Sequence, residues 1–150
     1  LTSNPEGVTD YVHADLRDPD TILREAAYTL DFTQPVALML MGIVEHITDN
    51  REAYAIVNRL LDALPSGSYL AMYDATTETG GEAMKEAIRL WNEKCYPPIR
   101  PRSRQEIAQF FDRLELLEPG VVSASLWRPD PSHIGTPVEV NSFGGVGRKP

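Results

Sequence analysis

Apolar runs of strand length alternate along this chain with amphipathic segments of helical period. The run from Val36 to Met41 is apolar at every position, which is typical of a central parallel strand covered on both faces. Val8 to Ala14 and Ser68 to Asp74 are two further strand candidates. The alternation of strands and helices favours βαβ units over a helical bundle or a β-sandwich.

Two helices are predicted next to these strands. Asp18 is placed to cap the first helix, Pro19 suits its opening turn, and apolar positions on one face continue to Leu30. The second helix follows Asn50 and ends at residues 65–67, where the sequence Pro-Ser-Gly stops a helix. The stripe that it is expected to bury consists of Ala53, Ile56, Val57, Leu60, Leu61 and Leu64.

The second half of the chain predicts two more helices, separated by a proline-rich loop. Gly81 to Lys94 has helical periodicity, and Ser103 with Glu106 forms a capping box ahead of the other helix. The loop from Cys95 to Pro101 contains three prolines, which lack the backbone N–H that regular structure needs. The side chains that the first of these helices is expected to bury are Met84, Ile88 and Trp91.

Two strand candidates follow. One runs from Leu114 to Leu117 and continues through Val121 to Trp127, and the other covers Val138 to Phe143. The loop from Arg128 to Pro137 joins them, so we expect an antiparallel pair. The glycine-rich stretch 143–147 has no helix behind it to bind a phosphate, and we interpret it as the end of a strand.

Composition limits the function classes that fit this chain. Its 150 residues are enough for one domain, and its 42% hydrophobic and 24% charged residues are typical of globular proteins. A formal net charge of -8 argues against nucleic acid as a partner. The longest apolar stretch, Val36 to Val44, is about half of what a membrane-spanning helix needs, so no membrane contact is expected. The single Cys95 agrees with a reducing, cytoplasmic location, and the start at Leu1 suggests a fragment or a processed product.

Candidate site residues follow the predicted strands, because ligands of doubly wound α/β folds bind at the carboxyl ends of the strands. The carboxylate of Asp15 and the backbone N–H of Leu16 match the amino group and ring nitrogen of an adenine, although the spacing alone favours Asp15 as a turn residue or cap. Gly42 allows a close backbone approach to a ligand. Glu45 and His46 are candidate proton acceptors, or else a solvated glutamate and a helix-start histidine.

Two other features have a simpler explanation than function. Asp74 ends the third predicted strand, where an aspartate is as often a cap as a site residue. His13, His46 and His133 show no metal-ligand spacing, and no cysteine pair supports them, so no metal site is expected.

Taken together, six segments resemble the S-adenosyl methyltransferase family that is common in actinobacteria and was once catalogued as a domain of unknown function. The resemblance extends over essentially the whole chain, and the order of the segments is more specific than any one of them. The segments are TSNPEG, YVHADLRDP, PVALMLMGIVEHITD, AYAIVNRLLDALPSGSYLAMYDAT, RSRQEIAQFFDRLELLEPGVVSASLWRPDP and FGGVGRKP.

This resemblance implies an α/β fold with a Rossmann-like methyltransferase sheet of strand order 3-2-1-4-5-7-6, and S-adenosylmethionine as the cofactor. The chain would supply strands three to seven, with an antiparallel C-terminal strand, and residues 1–150 would be the C-terminal portion of one domain. Strand three would begin at Val8 and strand four at Val36. The family's glycine-rich loop and ribose-binding acidic residue would both precede Leu1.

The resemblance also implies roles for individual residues. Asp15 and Leu16 match the adenine-contacting position, and the loop after strand four passes beneath the cofactor. Many relatives have Gly-His or Leu-His in this loop, and the chain departs from that pattern with Glu45-His46. The two candidate bases, Glu45 and His46, are therefore not assigned by the resemblance itself. The implied cofactor-binding residues are Asp15, Leu16, Met41, Gly42 and Ile43.

These observations predict methyl transfer from S-adenosylmethionine to a small-molecule acceptor, by a complete protein of which this chain is an inactive portion. The alternative is a non-catalytic cofactor-binding or regulatory protein, because a fold does not establish catalysis.

Two structural expectations follow from this assignment. Arg100 and Arg102 are expected to meet an anionic acceptor, or else to be surface arginines of a loop. Because strands one and two are absent, Val8 to Ala14 is expected to pair directly with Val36 to Met41, joined by the intervening helix as a crossover.

Overall fold

A computed structural model describes residues 7–130 and 135–150 of the chain. Strands and helices alternate through its first half, as the hydrophobic pattern predicts. The strands are β1 (Ala37–Met41), β2 (Tyr69–Ala75), β3 (Glu115–Leu116), β4 (Val122–Ser123) and β5 (Ser142–Arg148). The helices are α1 (Pro19–Ala26), α2 (Asn50–Asp62), α3 (Gly81–Lys94) and α4 (Arg104–Ala108), with short 3-10 helices at Val44–His46, Gln109–Phe111 and Ala124–Leu126.

The five strands form one mixed sheet. Its order is β1-β2-β5-β3, and β4 also pairs with β5. β1 and β2 are parallel, whereas β5 runs antiparallel to β2, β3 and β4. This arrangement confirms the predicted neighbour order four-five-seven-six of an incomplete Rossmann-like methyltransferase sheet with an antiparallel C-terminal strand.

The hydrophobic core lies on one face of the sheet. α2 covers this face with the apolar stripe expected from its sequence, and its N-cap is Asp49, whose side chain accepts the Glu52 N–H. α4 starts with the predicted capping box of Ser103 and Glu106. The core side chains include Leu40, Leu70, Met72, Ile107, Phe110, Phe111 and Phe143.

The opposite face of the sheet is open at β1 and partly covered further along, where Ala124 and Trp127 line a cavity with Tyr73 and Val146. Met39 lies across from Ala71, which in turn lies across from Val146, and the side chains of this row point away from the core. Met39 is 63% exposed, although a central strand would bury it. The expectation that β1 is covered on both faces is therefore wrong for the described residues, because little of that part of the chain packs against Met39; β1 is also the edge strand of the sheet.

Residues 8–14 form no strand, and their predicted pairing with β1 is wrong. They run as irregular backbone, with Val8 and Tyr11 mostly exposed. α1 begins after Asp18 as predicted, but it packs against α2. A strand needs a hydrogen-bonding partner, and none of the described strands pairs with this segment.

The C-terminal strands are displaced from their predicted positions. The strand expected at Val138 to Phe143 is β5, which contains the glycine-rich stretch that we interpreted as a strand end. A Cβ at Gly144 would lie 2.4 Å from the Met72 carbonyl oxygen, so glycine is needed for β5 to approach β2. The predicted strand from Leu114 to Trp127 is broken into β3, β4 and a 3-10 helix.

The expectation that α3 buries an apolar stripe is also wrong. Met84 and Ile88 are only partly buried, and Trp91 is 41% exposed. No residue of this helix belongs to the core. The helix is held instead by polar contacts to the loop that follows it.

Candidate functional site

The segments that follow β1 and β2 meet at the carboxyl-terminal edge of the sheet. Gly42 leaves β1 with φ +64°, and its N–H donates to the Tyr73 carbonyl at 3.0 Å. A Cβ at Gly42 would lie 3.2 Å from the Tyr73 ring. A glycine therefore turns the chain sharply from the strand into the 3-10 helix that contains Glu45 and His46.

A buried ion pair joins this turn to the end of β2. Arg102 donates to Asp74 Oδ2 at 2.7 Å, and both side chains are 0% exposed. Burial raises the pKa of Asp74 to about 6, although the nearby Arg102 guanidinium lowers it. At neutral pH the Asp74 carboxylate is therefore ionised and paired.

The Arg102 guanidinium also holds both ends of the turn. It donates to the carbonyl oxygens of Val44 at 3.0 Å and Ile47 at 2.6 Å. Asp74 in turn accepts the Glu45 N–H at 3.1 Å. The backbone on each side of residues 45 and 46 is thus fixed by groups buried beneath it.

The two candidate bases have different surroundings. Glu45 uses its carboxylate to accept the Ala75 N–H at 2.8 Å, which ties it to β2. His46 Nδ1 lies 3.1 Å from the Pro98 carbonyl oxygen. A carbonyl only accepts, so Nδ1 carries the proton and the neutral ring keeps its lone pair on Nε2. No described residue makes a hydrogen bond to Nε2.

Arg17 connects the Asp15 turn to the loop that contains Glu45 and His46. Asp15 Oδ1 accepts the Arg17 N–H at 2.9 Å, and the Arg17 guanidinium donates to the His46 carbonyl at 3.1 Å. The same guanidinium lies 3.7 Å from Glu52. Asp15 follows irregular backbone rather than a strand, but the two sequence-predicted loops are adjacent. Sequence reasoning missed Arg17, whose only signal was its place in the acidic turn.

Arg100 and Arg102 do not face an acceptor, contrary to expectation. The Arg102 guanidinium is buried and makes the contacts described above. The Arg100 guanidinium donates to Asn50 Oδ1 and to Glu106 Oε1, and so it links the proline-rich loop to the start of α2 and to α4. For Arg102 the prediction of an anionic acceptor is therefore wrong, and so is the alternative of a surface arginine, because its side chain is buried.

Replacing Glu106 with glutamine is expected to make the free energy of unfolding depend less on pH in the acid range. Burial raises the pKa of Glu106, but hydrogen bonds from the Ser103 N–H, Arg100 and Asn50 outweigh it and lower the pKa to about 2. Because the folded pKa lies below the ordinary value of 4.5, this stabilisation is present above pH 4.5 and is lost as the pH falls towards 2.

The measurement for Glu106 is the free energy of unfolding of both proteins between about pH 7 and pH 3. The difference between wild type and Glu106→Gln should shrink at the acid end, because protonation removes the charge that the variant lacks. Glu82→Gln, on the exposed surface of α3, is the control. A Glu106→Gln difference that stays constant with pH would contradict the assignment.

Comparisons with known proteins define the family. The model of the S-adenosyl methyltransferase family matches residues 1–150. The chain belongs to this family. S-adenosylmethionine is the cofactor of this family.

Two crystal structures are similar to this S-adenosyl methyltransferase chain. A DUF574 family protein from Streptomyces avermitilis is 42% identical with a TM-score of 0.92, and the match covers 100% of this chain and 58% of that one. A candidate methyltransferase from Thermobifida fusca is 34% identical with a TM-score of 0.78, over 91% of this chain and 52% of that one. The chain thus spans little more than half the length of these relatives.

No curated protein sequence matches the chain. Within residues 7–130 and 135–150, none of the helices has both the length and the apolar character that crossing a membrane requires.

Proposed function

We propose that the complete protein, meaning the longest natural chain that contains residues 1–150, transfers a methyl group from S-adenosylmethionine to a small-molecule acceptor. The observation that carries this proposal is the match of the S-adenosyl methyltransferase family to residues 1–150, and His46, whose Nδ1 bonds to the Pro98 carbonyl at 3.1 Å, supplies a candidate proton acceptor. When bound, the cofactor supplies a methyl group on a positively charged sulfur, so alignment of the acceptor accounts for much of the catalysis.

The Asp15 turn has the chemistry to hold adenine. Asp15 Oδ1 is used by the Arg17 N–H, which leaves Oδ2 for the exocyclic amino group. The Leu16 N–H has no acceptor among the described residues and can donate to a ring nitrogen. In the neighbouring loop, Met41 and Ile43 are partly exposed apolar side chains on either side of Gly42, suited to lie beneath the cofactor.

We infer that His46 is the proton acceptor and that Glu45 is a positioning residue. The Glu45 carboxylate already accepts the Ala75 N–H, whereas His46 keeps Nε2 for an acceptor proton. The net charge of -8 supports a small molecule rather than a nucleic acid as the methyl acceptor.

We further propose that residues 1–150 are the C-terminal portion of one methyltransferase domain. Three observations support this division: the uncovered sheet face around Met39, the free edge of β1, and relatives that are nearly twice as long. The missing portion would cover that face and pair with β1. Without it, this chain would lack part of the cofactor pocket and be inactive.

Replacing Asp15 with alanine in the complete protein is expected to weaken S-adenosylhomocysteine binding by about 1 to 3 kcal/mol, the cost of leaving a buried adenine donor unpaired. Isothermal titration calorimetry measures this loss. Asp112→Ala removes an exposed aspartate outside both loops and is the matched control. Equal affinity of the Asp15 variant and wild type would eliminate the adenine assignment.

The function itself is tested in two steps. Calorimetry with S-adenosylhomocysteine asks whether the complete protein binds the cofactor product. Radiolabelled methyl transfer from S-adenosylmethionine into a fractionated small-molecule extract then asks whether it is an enzyme. Binding without any transfer would favour the non-catalytic alternative, and absence of binding would refute the proposal.

A further inference from the structure

Three successive carbonyl groups of the proline-rich loop accept hydrogen bonds from side chains. Trp91 Nε1 donates to Pro97 at 3.0 Å, His46 Nδ1 to Pro98 at 3.1 Å, and Asn92 Nδ2 to Ile99 at 2.9 Å. The carbonyl that contacts His46 is therefore flanked on both sides by carbonyls anchored to α3.

Further bonds fix this part of the loop. The Ile99 N–H donates to Asn92 Oδ1 at 2.7 Å, so one amide side chain pairs with both backbone groups of Ile99. The Arg100 N–H donates to the Glu45 carbonyl at 2.8 Å. The loop is thus attached to α3 on one side and to the backbone next to His46 on the other.

The position of the Pro98 carbonyl matters for the chemistry of the imidazole. The partner of one ring nitrogen decides which nitrogen of a neutral histidine carries the proton. A carbonyl held against Nδ1 selects the form with the lone pair on Nε2. Prolines 97 and 98 have no backbone N–H, so the loop cannot hold itself in place through those two residues, and the side chains of α3 supply the anchors.

We propose that Trp91 and Asn92 are positioning residues that hold the Pro98 carbonyl against His46 and so keep Nε2 free to accept a proton. This inference rests on the proposed role of His46 as the base. It also explains why α3 presents Trp91 and Asn92 to the loop although none of its side chains enters the core.

The test is imidazole nitrogen NMR of the complete protein, with the His46 signals assigned by their loss in His46→Asn. In wild type, the neutral ring of His46 should show a protonated Nδ1 and an unprotonated Nε2. In the double variant Trp91→Phe with Asn92→Leu, the proton should move largely to Nε2, so that the Nδ1–H form falls about tenfold relative to the other. Lys94→Ala, on the same exposed surface of α3, should leave the spectrum unchanged.

Either of two results would overturn the proposal: an Nε2-protonated ring in wild type, or an unchanged tautomer in a double variant that is folded by circular dichroism. Should the double variant not fold, Asn92→Asp serves instead, because it keeps the acceptor for the Ile99 N–H and loses the donor to the Ile99 carbonyl. The tautomer is read without any methyl acceptor, so the positioning role is judged separately from the proposed base, which is tested by the methyl-transfer rate of a His46 variant.

Discussion

Replacing Arg102 with methionine is expected to lower the free energy of unfolding by about 3 to 5 kcal/mol. The change leaves Asp74 as a buried carboxylate without its counter-ion, and it leaves the carbonyl groups of Val44 and Ile47 without the donors that now satisfy them. Urea denaturation of the complete protein, followed by circular dichroism, measures the loss.

The matched control for Arg102 is Arg113→Met. Arg113 forms an ion pair of 2.7 Å with Asp62, but both side chains are about half exposed, so water compensates for its loss. This change should cost about 0 to 1 kcal/mol. Similar losses for the two variants would show that burial of the Arg102 pair does not govern stability.

A second variant separates the two causes of the stability loss in Arg102→Met, which are the unpaired Asp74 carboxylate and the carbonyl groups left without donors. Combining Arg102→Met with Asp74→Leu removes both charges. The double variant should therefore lose less free energy of unfolding than the sum of the losses in the two single variants. A loss equal to that sum would mean that the two side chains contribute independently to stability, which would contradict the ion pair between them.

The elements that the sequence predicts correctly depend on local signals. The stripe of α2, the Asp18 cap of α1 and the capping box of Ser103 and Glu106 each involve residues a few positions apart. Such signals do not require the rest of the fold. β2 was also found, because a short apolar run between two helices has few alternatives in a βαβ pattern.

The elements that were predicted wrongly depend on distant partners. Residues 8–14 have a strand-like sequence, but none of the described strands pairs with them. The apolar sequence of β1 predicts cover on both faces, which this chain provides on only one. β5 was misplaced because its glycines have low strand propensity, yet Gly144 is required where β5 passes β2 at close distance.

The candidate site shows the same division between local and distant signals. The loop from Gly42 to His46 was found because it follows an apolar strand. The contact of Arg102 with Asp74 joins residues 28 positions apart, and a proline-rich loop gives no periodicity from which to pair them. Glu45 and His46 are both ionisable side chains in one turn, and only their contacts with Ala75 and Pro98, which are distant in sequence, separate their roles.

Replacing His46 with asparagine in the complete protein is expected to lower the methyl-transfer rate by about 10²- to 10⁴-fold for an acceptor that must lose a proton. An asparagine amide can still donate to the Pro98 carbonyl, as Nδ1 does now, but it has no nitrogen that accepts a proton. The measurement is kcat with radiolabelled S-adenosylmethionine and the acceptor fraction that supports transfer by wild type.

The affinity for S-adenosylhomocysteine should be unchanged in His46→Asn, because the variant removes a base and leaves the loop attached to Pro98. Glu45→Gln is the comparison, since its amide oxygen can still accept the Ala75 N–H, and it should lower kcat far less. If His46→Asn kept the full rate, or if Glu45→Gln lost as much as His46→Asn, the assignment of the base to His46 would be wrong. A normal cofactor affinity together with a rate that is lost only in His46→Asn would place the proton transfer at Nε2, because the contact made by Nδ1 is preserved.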